Sequence, residues 1–392
     1  MLAVLALSAW RTWQETPRAT AELPRAAEPE QPVVENGLNE ARLAKALLQR
    51  FERNNDVAAL DRAAVHAAKA MALEPEEPEA LLVSGLVHDA RSEFETARGY
   101  FARVRALDPD SPMGYLSEAN TYLPQGELGL ALHWLQQAQA MTPNHYDFSG
   151  GLVLLNDCLD NHAAARQWSE WLDRRVTNEP MVLALQARHH YLSGNFQAAL
   201  QTSNIALNLD LPRNGHADAI FMRIKRDEAL GLGAPKAGID LFAQRHPNLF
   251  QPNPVITPGN IMQAIDLAHL YQLAGQHHDA DKLTASAVEA YDKPWFTSGS
   301  ARAWLAPARA EALAVGGDPQ GALDELQRIV DQGWRIHWRW EMEMNPNFQS
   351  IRNAPRFQAL IATIEADMSR QRNAPLAQNE PPGCPGCGTG AR

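Results

Sequence analysis

A 34-residue interval recurs through the first half of the 392-residue chain. Alanines repeat at this interval at Ala63, Ala97, Ala131, Ala165 and Ala199. Prolines share the interval at Pro75, Pro109 and Pro143, and each of them closes a segment whose apolar residues follow the period of a helix. An interval of this length predicts helix pairs that stack on one another, because one pair cannot bury its own apolar face.

The interval resembles the tetratricopeptide (TPR) repeat, in which two antiparallel helices cross at small residues and a proline follows the second helix. Gly85 and Ala97 occupy the small positions of one copy, and Pro109 closes it. The resemblance covers residues 39–332 and is loosest over residues 214–250, where two helices around Gly231–Pro235 are still expected. It implies an all-α fold, an α-α superhelix that is a TPR solenoid of antiparallel helix pairs.

Composition and charge exclude several other classes of protein. Hydrophobic residues make up 45% of the chain, which fits a soluble protein with a buried core. With 35 basic and 46 acidic residues the formal charge is −11, which disfavours nucleic acid as a partner. Three cysteines are too few for a disulfide framework.

The two ends of the chain differ in composition from the repeats. Residues 1–13 form an apolar stub, which we interpret as the end of a membrane helix; a signal or short anchor, or a packed or disordered end, are alternatives. Residues 14–38 form a Pro/Ala/Glu linker. Residues 373–392 are predicted to be a disordered tail, in which Cys384 and Cys387 are free thiols or, alternatively, a metal or redox pair.

A segment after the repeats has a different periodicity. From Arg335 to Met344 apolar and polar residues alternate, which indicates an extended strand, although helix pairs offer a lone strand no sheet to join. We interpret residues 333–372 as a C-terminal capping segment in which Trp334, Trp338 and Trp340 cover the open end of the last repeat. An aromatic platform for a ligand is the alternative.

The sequence that follows is similar to the C-terminal end of TPR regions in bacterial membrane-bound signalling proteins. The resemblance lies in Asn345-Pro346-Asn347-Phe348, Ile351-Arg352, Ala354-Pro355-Arg356-Phe357 and Leu360. Those proteins carry a winged-helix, kinase or cyclase domain, then one membrane helix, then TPRs. The resemblance implies a membrane-anchored chain with a periplasmic TPR region; a cytoplasmic location is the alternative. It carries over no catalytic residue, because no position here matches those domains.

A search for reactive motifs finds no Walker A, HExxH or GxSxG pattern, so we expect no enzyme activity, no cofactor and no metal. The adjacent histidines His189-His190 and His277-His278 point apart on a helix and are expected at the surface or in the groove. Trp168 and Trp171 are expected in the core between repeats. An enzyme whose site lies in residues 214–260 is a minor alternative.

A binding groove is the remaining prediction, and it follows from the TPR resemblance. The positions of the first helix that line the concave groove of a TPR include Leu82, Leu86, Asp89, Leu116, Asn120, Arg188, Tyr191, His269, Gln272 and Glu311. Asn120, Arg188 and His269 are the polar side chains that we expect to fix the position of a bound protein or peptide segment. Asn120 resembles the asparagine of chaperone-binding TPRs, but the lysines of that carboxylate clamp are missing.

The predicted function is therefore a non-catalytic protein–protein interaction scaffold, the sensory or docking region of a bacterial envelope signalling protein. An assembly factor for envelope complexes is the alternative. The oligomeric state and the identity of the partner stay open.

Overall fold

A computed structural model describes residues 36–54, 56–142, 148–174, 179–209, 215–293 and 301–374. These ranges contain 18 α-helices and no β-strand, so the fold class is all-α, as predicted. Two short 3-10 turns, Pro247–Phe250 and Pro346–Phe348, and one π-helical turn, Arg339–Glu343, complete the regular structure of the same ranges.

Contacts divide the chain into two compact units. Among the described residues, the first takes in residues 36–54, 56–121 and 134–142. The second takes in residues 122–133, 148–174, 179–209, 215–293 and 301–374. The first six helices of the chain are α1 Gly37–Asn54, α2 Val57–Leu73, α3 Pro78–Ala90, α4 Phe94–Leu107, α5 Met113–Tyr122 and α6 Leu128–Met141. Within the first unit α1 packs on α2 and α3 packs on α4.

The second unit continues the same alternation of first and second helices. Its helices are α7 Ser149–Cys158, α8 His162–Asp173, α9 Pro180–Leu192, α10 Phe196–Asn208, α11 His216–Gly231, α12 Pro235–Arg245, α13 Ile261–Leu273, α14 His277–Tyr291, α15 Ala301–Leu305, α16 Ala308–Val315, α17 Pro319–Asp331 and α18 Pro355–Asn373. Pairs form between α7 and α8, α9 and α10, α11 and α12, α13 and α14, and α16 and α17. The pair around Gly231–Pro235 is therefore present, as predicted.

Local sequence explains where the helices begin. Proline stands at the start of α3, α9, α12, α17 and α18, where its missing N–H costs no intrahelical bond. Asp56 caps α2, since its Oδ1 accepts from the backbone N–H of Ala59 at 3.2 Å. Asp318 caps α17 in the same way, accepting from Gly321 N at 2.8 Å.

The small residues of the 34-residue interval lie where helices meet. All five alanines of the series are fully buried, and each lies on the second helix of its repeat. Gly85 on α3 faces the ring of Phe101 on α4, and a Cβ at Gly85 would lie only 2.4 Å from Cε1 of Phe101. The interval is therefore a packing requirement, because a larger side chain at these positions would push the paired helices apart.

Three expectations need correction or fall outside the described residues. Helix α1 begins at Gly37, so the predicted linker, which was expected to reach residue 38, gives way to helix slightly earlier. The tail predicted for residues 373–392 begins too early, since Asn373 is the last residue of α18. The stub at residues 1–13 and residues 375–392, with Cys384 and Cys387, lie outside the described ranges. Within those ranges no helix combines the length and apolar content that a membrane crossing needs.

Candidate functional site

The residues from Trp334 to Phe348, here called the C-terminal segment, cross the first helices of the second unit. His337 contacts Cys158 on α7 and Arg188 on α9, Glu341 contacts Arg223 on α11, and Asn347 contacts Asp266 on α13 and Glu311 on α16. The segment therefore follows the helix order of the chain, one first helix after another. It does not form the extended strand that its alternation suggests, since Arg339–Glu343 are one turn of π-helix.

Apolar side chains anchor the C-terminal segment. Trp334, Ile336, Trp338, Trp340, Met342 and Phe348 are all buried, and Trp338 is completely withdrawn from solvent. The indole of Trp338 donates from Nε1 to the carbonyl oxygen of Cys158 at 3.0 Å, and that of Trp334 donates to Ala303 O at 3.0 Å. The ring of Trp340 meets that of Tyr191 edge-on, with centroids 5.1 Å apart. The alternation in the sequence thus arises from one-sided burial against helices.

Buried charges fix the register of the segment. Arg223 donates from Nη1 to Oε2 of Glu341 at 2.6 Å and from Nη2 to Oε2 of Glu311 at 2.8 Å. Its Nε and Nη2 also reach the two carboxylate oxygens of Asp266, each at 3.1 Å. Asn347 donates from Nδ2 to Asp266 at 2.9 Å and to Glu311 at 2.7 Å. Arg226 also pairs with Asp266. The groups involved are nearly or fully buried.

The electrostatics of this network are uneven, because two arginines face three carboxylates. Burial alone would lower the pKa of Arg223, but the carboxylates around it raise that pKa well above its ordinary value. Burial raises the pKa of Glu341 to about 7, against the pull of Arg223, and also raises that of Glu311. Burial would raise the pKa of Asp266 as well, yet Arg223 and Arg226 hold it below its ordinary value. The raised pKa values therefore lie on the Glu311–Glu341 side of the network, whereas the two arginines keep that of Asp266 low.

The predicted groove residues of the second unit lie beneath or beside this segment. Arg188 and Glu311 are buried, and their partners are His337 and the Arg223–Asn347 pair. Tyr191 is half-buried and donates its hydroxyl to Asp227 at 2.9 Å. His269 is half-buried, and burial lowers its pKa to about 4. Gln272 is half-buried near the far end of α13 and accepts from His277 at 2.6 Å.

The predicted groove residues of the first unit lie on α3 and α5. Leu82, Leu86, Leu116 and Asn120 are buried, and Asp89 is half-buried. In the part of the chain that the structure describes, Oδ1 and Nδ2 of Asn120 and Oδ1 of Asp89 have no hydrogen-bond partner. A buried amide without partners is unusual in a folded protein and calls for a physical explanation.

The histidine and tryptophan pairs take distinct places. His189 is buried and its Nδ1 donates to Oδ1 of Asp157 at 2.8 Å, so it does not lie at the surface. His190 is half-buried beside Asp173, whereas His277 and His278 are exposed. Trp168 and Trp171 are half-buried against Val153, Leu172 and Val182.

In the region of the minor enzyme alternative, residues 214–260, Asp218, Arg245 and His246 form a cluster separate from the network of Arg223 and Arg226. Asp218 accepts from Nε of Arg245 at 2.6 Å and lies 2.8 Å from Nε2 of His246. Burial would raise the pKa of Asp218, but His246 and Arg245 lower it.

Elsewhere in the second unit, burial raises the pKa of the Cys158 thiol to about 12, which keeps it from acting as a thiolate at neutral pH. In the described ranges no group of three His, Cys, Asp or Glu side chains could hold a metal ion.

Sequence reasoning missed most of the residues that hold the C-terminal segment. Arg223, Asp266 and Glu341 were not singled out, although charges at helix positions that face the interior are a usable signal. His337 was noted only as part of the alternating run.

Comparison with known proteins gives a limited result. No family profile matches the sequence, and no curated protein resembles it significantly. Among solved structures it is similar to Cut9 in the APC/C hetero-tetramer Cut9–Hcn1, at 12% identity over 78% of this chain and 52% of that chain, with a TM-score of 0.46. It is also similar to human IFIT1 bound to PPP-AAAA, at 13% identity over 86% and 82%, with a TM-score of 0.47. A tetratricopeptide repeat protein from Parabacteroides merdae matches at 14% identity over 82% and 99%, with a TM-score of 0.37. The chain spans about half the length of Cut9.

Proposed function

We propose that this chain is a non-catalytic protein–protein interaction scaffold and that a partner segment binds the first-helix face of the first unit. That face carries Leu82, Leu86, Asp89, Leu116 and Asn120 on α3 and α5. The observation that carries the proposal is the side chain of Asn120, which is 6% exposed and whose Oδ1 and Nδ2 have no hydrogen-bond partner among the described residues.

An extended segment would supply what Asn120 lacks. A peptide backbone presents one carbonyl acceptor and one N–H donor per residue, which matches the donor and acceptor of a single amide side chain. Leaving a buried amide unpaired costs about 1–3 kcal/mol, and a bound backbone removes that cost. The neighbouring leucines would take apolar side chains of the same segment, and Asp89 would favour a donor beside them.

The second unit supports this choice by analogy within the same chain. Its first helices already hold the C-terminal segment through a buried tryptophan, an ion pair and an amide hydrogen bond. Helix pairs of this sequence therefore present faces that suit an extended or irregular chain. Because the C-terminal segment lies along the first helices of the second unit and engages Glu311 there, an external partner segment is better placed on the first unit.

The experiment compares Asn120 with a matched amide. Peptides selected on the purified chain from a displayed random library are titrated by fluorescence anisotropy against wild type, Asn120→Ala and Gln137→Ala, where Gln137 is exposed on α6. Asn120→Ala should weaken binding about tenfold or more, since two hydrogen bonds are lost, whereas Gln137→Ala should not. Asn120→Ala should also leave the melting temperature unchanged or raised, because it removes an unpaired buried amide. Equal affinities for all three proteins would overturn the assignment.

The cellular role that we propose for the scaffold is the sensory or docking region of a bacterial envelope signalling protein, with a membrane tether at its N-terminal side. The support is the resemblance of the segment from Asn345 to Leu360 to such proteins, together with the apolar residues 1–13. A fusion of the full-length natural gene product to alkaline phosphatase, which folds only outside the cytoplasm, tests the periplasmic placement. An inactive fusion contradicts it.

An assembly factor for envelope complexes is the alternative role. Size-exclusion chromatography with light scattering on complexes isolated from membranes separates the two. One partner copy per chain favours a docking region, whereas several different partners bound at once favour an assembly factor.

A further inference from the structure

A cluster of four side chains in the second unit has polar atoms that the fold leaves unused. It comprises Arg188 on α9, His216 at the start of α11, Trp304 on α15 and His337 on the C-terminal segment, and we call it the arginine–ring cluster. The three rings lie within contact of one another, with centroid distances of 5.1 Å from His216 to Trp304, 5.1 Å from His216 to His337 and 4.6 Å from Trp304 to His337.

The guanidinium of Arg188 is the charged member of this cluster. Arg188 is 1% exposed, and its Nη1 lies 3.1 Å from Nε2 of His337. Its Nε and Nη2 have no hydrogen-bond partner among the described residues. These two nitrogens form one edge of the guanidinium, with parallel N–H groups at the spacing of two carboxylate oxygens. The edge that best binds a carboxylate is thus buried and free.

The two histidines add further unused atoms. Both ring nitrogens of His216 and Nδ1 of His337 are buried without a hydrogen-bond partner in the described structure. Burial, reinforced by Arg188, lowers the pKa of His216 to about 3, so its ring is neutral and offers one donor and one acceptor. His337 has a left-handed backbone with φ of 59°, a conformation that costs energy in residues other than glycine. Strain and unsatisfied polar atoms at one place are typical of a binding site.

We propose that the arginine–ring cluster binds a small monocarboxylate, with its two oxygens on Nε and Nη2 of Arg188 and His216 as a third donor. A single buried cation is neutralised by a single negative charge. A phosphate dianion would bring a second negative charge that no group of the cluster neutralises. The ring of Trp304 would contact the short organic part of the ligand. This site is independent of the partner-binding face proposed on the first unit.

The test uses the purified chain and defined anions at constant ionic strength. Acetate labelled with ¹³C at the carboxyl carbon is titrated and followed by NMR, while the melting temperature is followed with acetate, benzoate, inorganic phosphate and the dipeptide Ala-Ala. We expect saturable binding and stabilisation by acetate or benzoate and a smaller effect of phosphate. The dipeptide separates a free small carboxylate from the terminus of a peptide, and stabilisation by the dipeptide alone would overturn the small-ligand proposal.

Three variants locate the site. Arg188→Gln should lose the saturable binding, whereas Arg166→Gln, at an exposed arginine on α8, should keep it. His216→Phe keeps a ring but removes both nitrogens, and it should weaken binding about tenfold through the lost hydrogen bond. If Arg188→Gln does not fold, the His216→Phe titration decides. The absence of saturable binding in wild type, or undiminished binding in His216→Phe, would overturn the proposal.

Discussion

Nη1 of Arg223 donates to Oε2 of Glu341 at 2.6 Å, across 118 positions of the chain. This contact joins a first helix to the C-terminal segment and places the segment in the interior of the second unit. The same guanidinium also serves Asp266 and Glu311, so one side chain connects two further first helices to that contact. The stability of the second unit should therefore depend strongly on Arg223.

Arg223→Met should destabilise the chain strongly. Removing the guanidinium leaves Asp266, Glu311 and Glu341 buried with only part of the positive charge that now faces them. Removing one partner of a buried ion pair costs about 3–5 kcal/mol. Urea unfolding followed by circular dichroism should give a lower midpoint for the transition of the second unit. The matched control is Arg166→Met, whose side chain is exposed and should change stability little. Equal midpoints for the two variants would contradict the role of the network.

The network should also make stability depend on pH through Glu341. The pKa of Glu341 is raised from 4.5 to about 7, mainly by burial, so the folded chain holds this proton more tightly than the unfolded chain does. The stabilisation that follows is fully present below pH 4.5 and is lost as the pH rises through about 7.

The variant Glu341→Gln keeps the size of the side chain and removes this titration. Between about pH 5 and about pH 8, the free energy of unfolding of wild type should fall relative to that of Glu341→Gln by on the order of 1–3 kcal/mol. Urea titrations at several pH values measure the difference, in which the contributions of unchanged groups largely cancel. Parallel pH curves for the two proteins would show that Glu341 does not titrate in this window.

Gly85→Ala should destabilise the first unit, although alanine favours helices. The added Cβ would lie 2.4 Å from Cε1 of Phe101, so the ring or the helix must move, at a cost of about 1–3 kcal/mol. Gly99→Ala on α4 is the matched control, because nothing lies within 4 Å of its new Cβ, and it should stabilise by about 0.5–1 kcal/mol. Thermal unfolding should therefore move in opposite directions for the two variants. The double variant Gly85→Ala/Phe101→Leu should recover part of the loss.

Trp338→Ala should lower the free energy of unfolding strongly. The indole is fully buried and donates to Cys158 O at 3.0 Å, and loss of so large a core side chain costs about 3–5 kcal/mol. Trp338→Phe keeps most of the packing but leaves the carbonyl of Cys158 without this donor, so it should cost about 1–2 kcal/mol. Urea unfolding of both variants would separate packing from hydrogen bonding. If neither variant changed the transition, the C-terminal segment would not be part of the core.

The repeat architecture could be predicted because its information is local. A helix pair is specified by residues within one 34-residue interval, so the positions of Ala63, Ala97 and Ala165 were enough to place buried helix crossings. The alternation from Arg335 to Met344 indicated a segment with one buried face, but periodicity could not say what that face would contact. The π-helical turn at Arg339–Glu343 left no signal in the sequence.

The candidate site was predictable in part and for a similar reason. The position of Arg188 and Glu311 within the 34-residue repeat predicted that both lie on first helices, where the structure has them. Their partners, His337 for Arg188 and Asn347 for Glu311, lie 149 and 36 positions away. No periodic pattern connects residues at such unequal separations.

The sequence by itself determined the all-α fold, the order of helix pairs and the small residues at which paired helices cross, because each depends on spacing within one repeat. Only the tertiary structure decided that the C-terminal segment occupies the first-helix face of the second unit, that Arg223 gathers three carboxylates there, and that Arg188 keeps two buried donors free. The physical reason is that an unpaired buried charge is costly, so the chain brings distant groups together wherever packing places that charge.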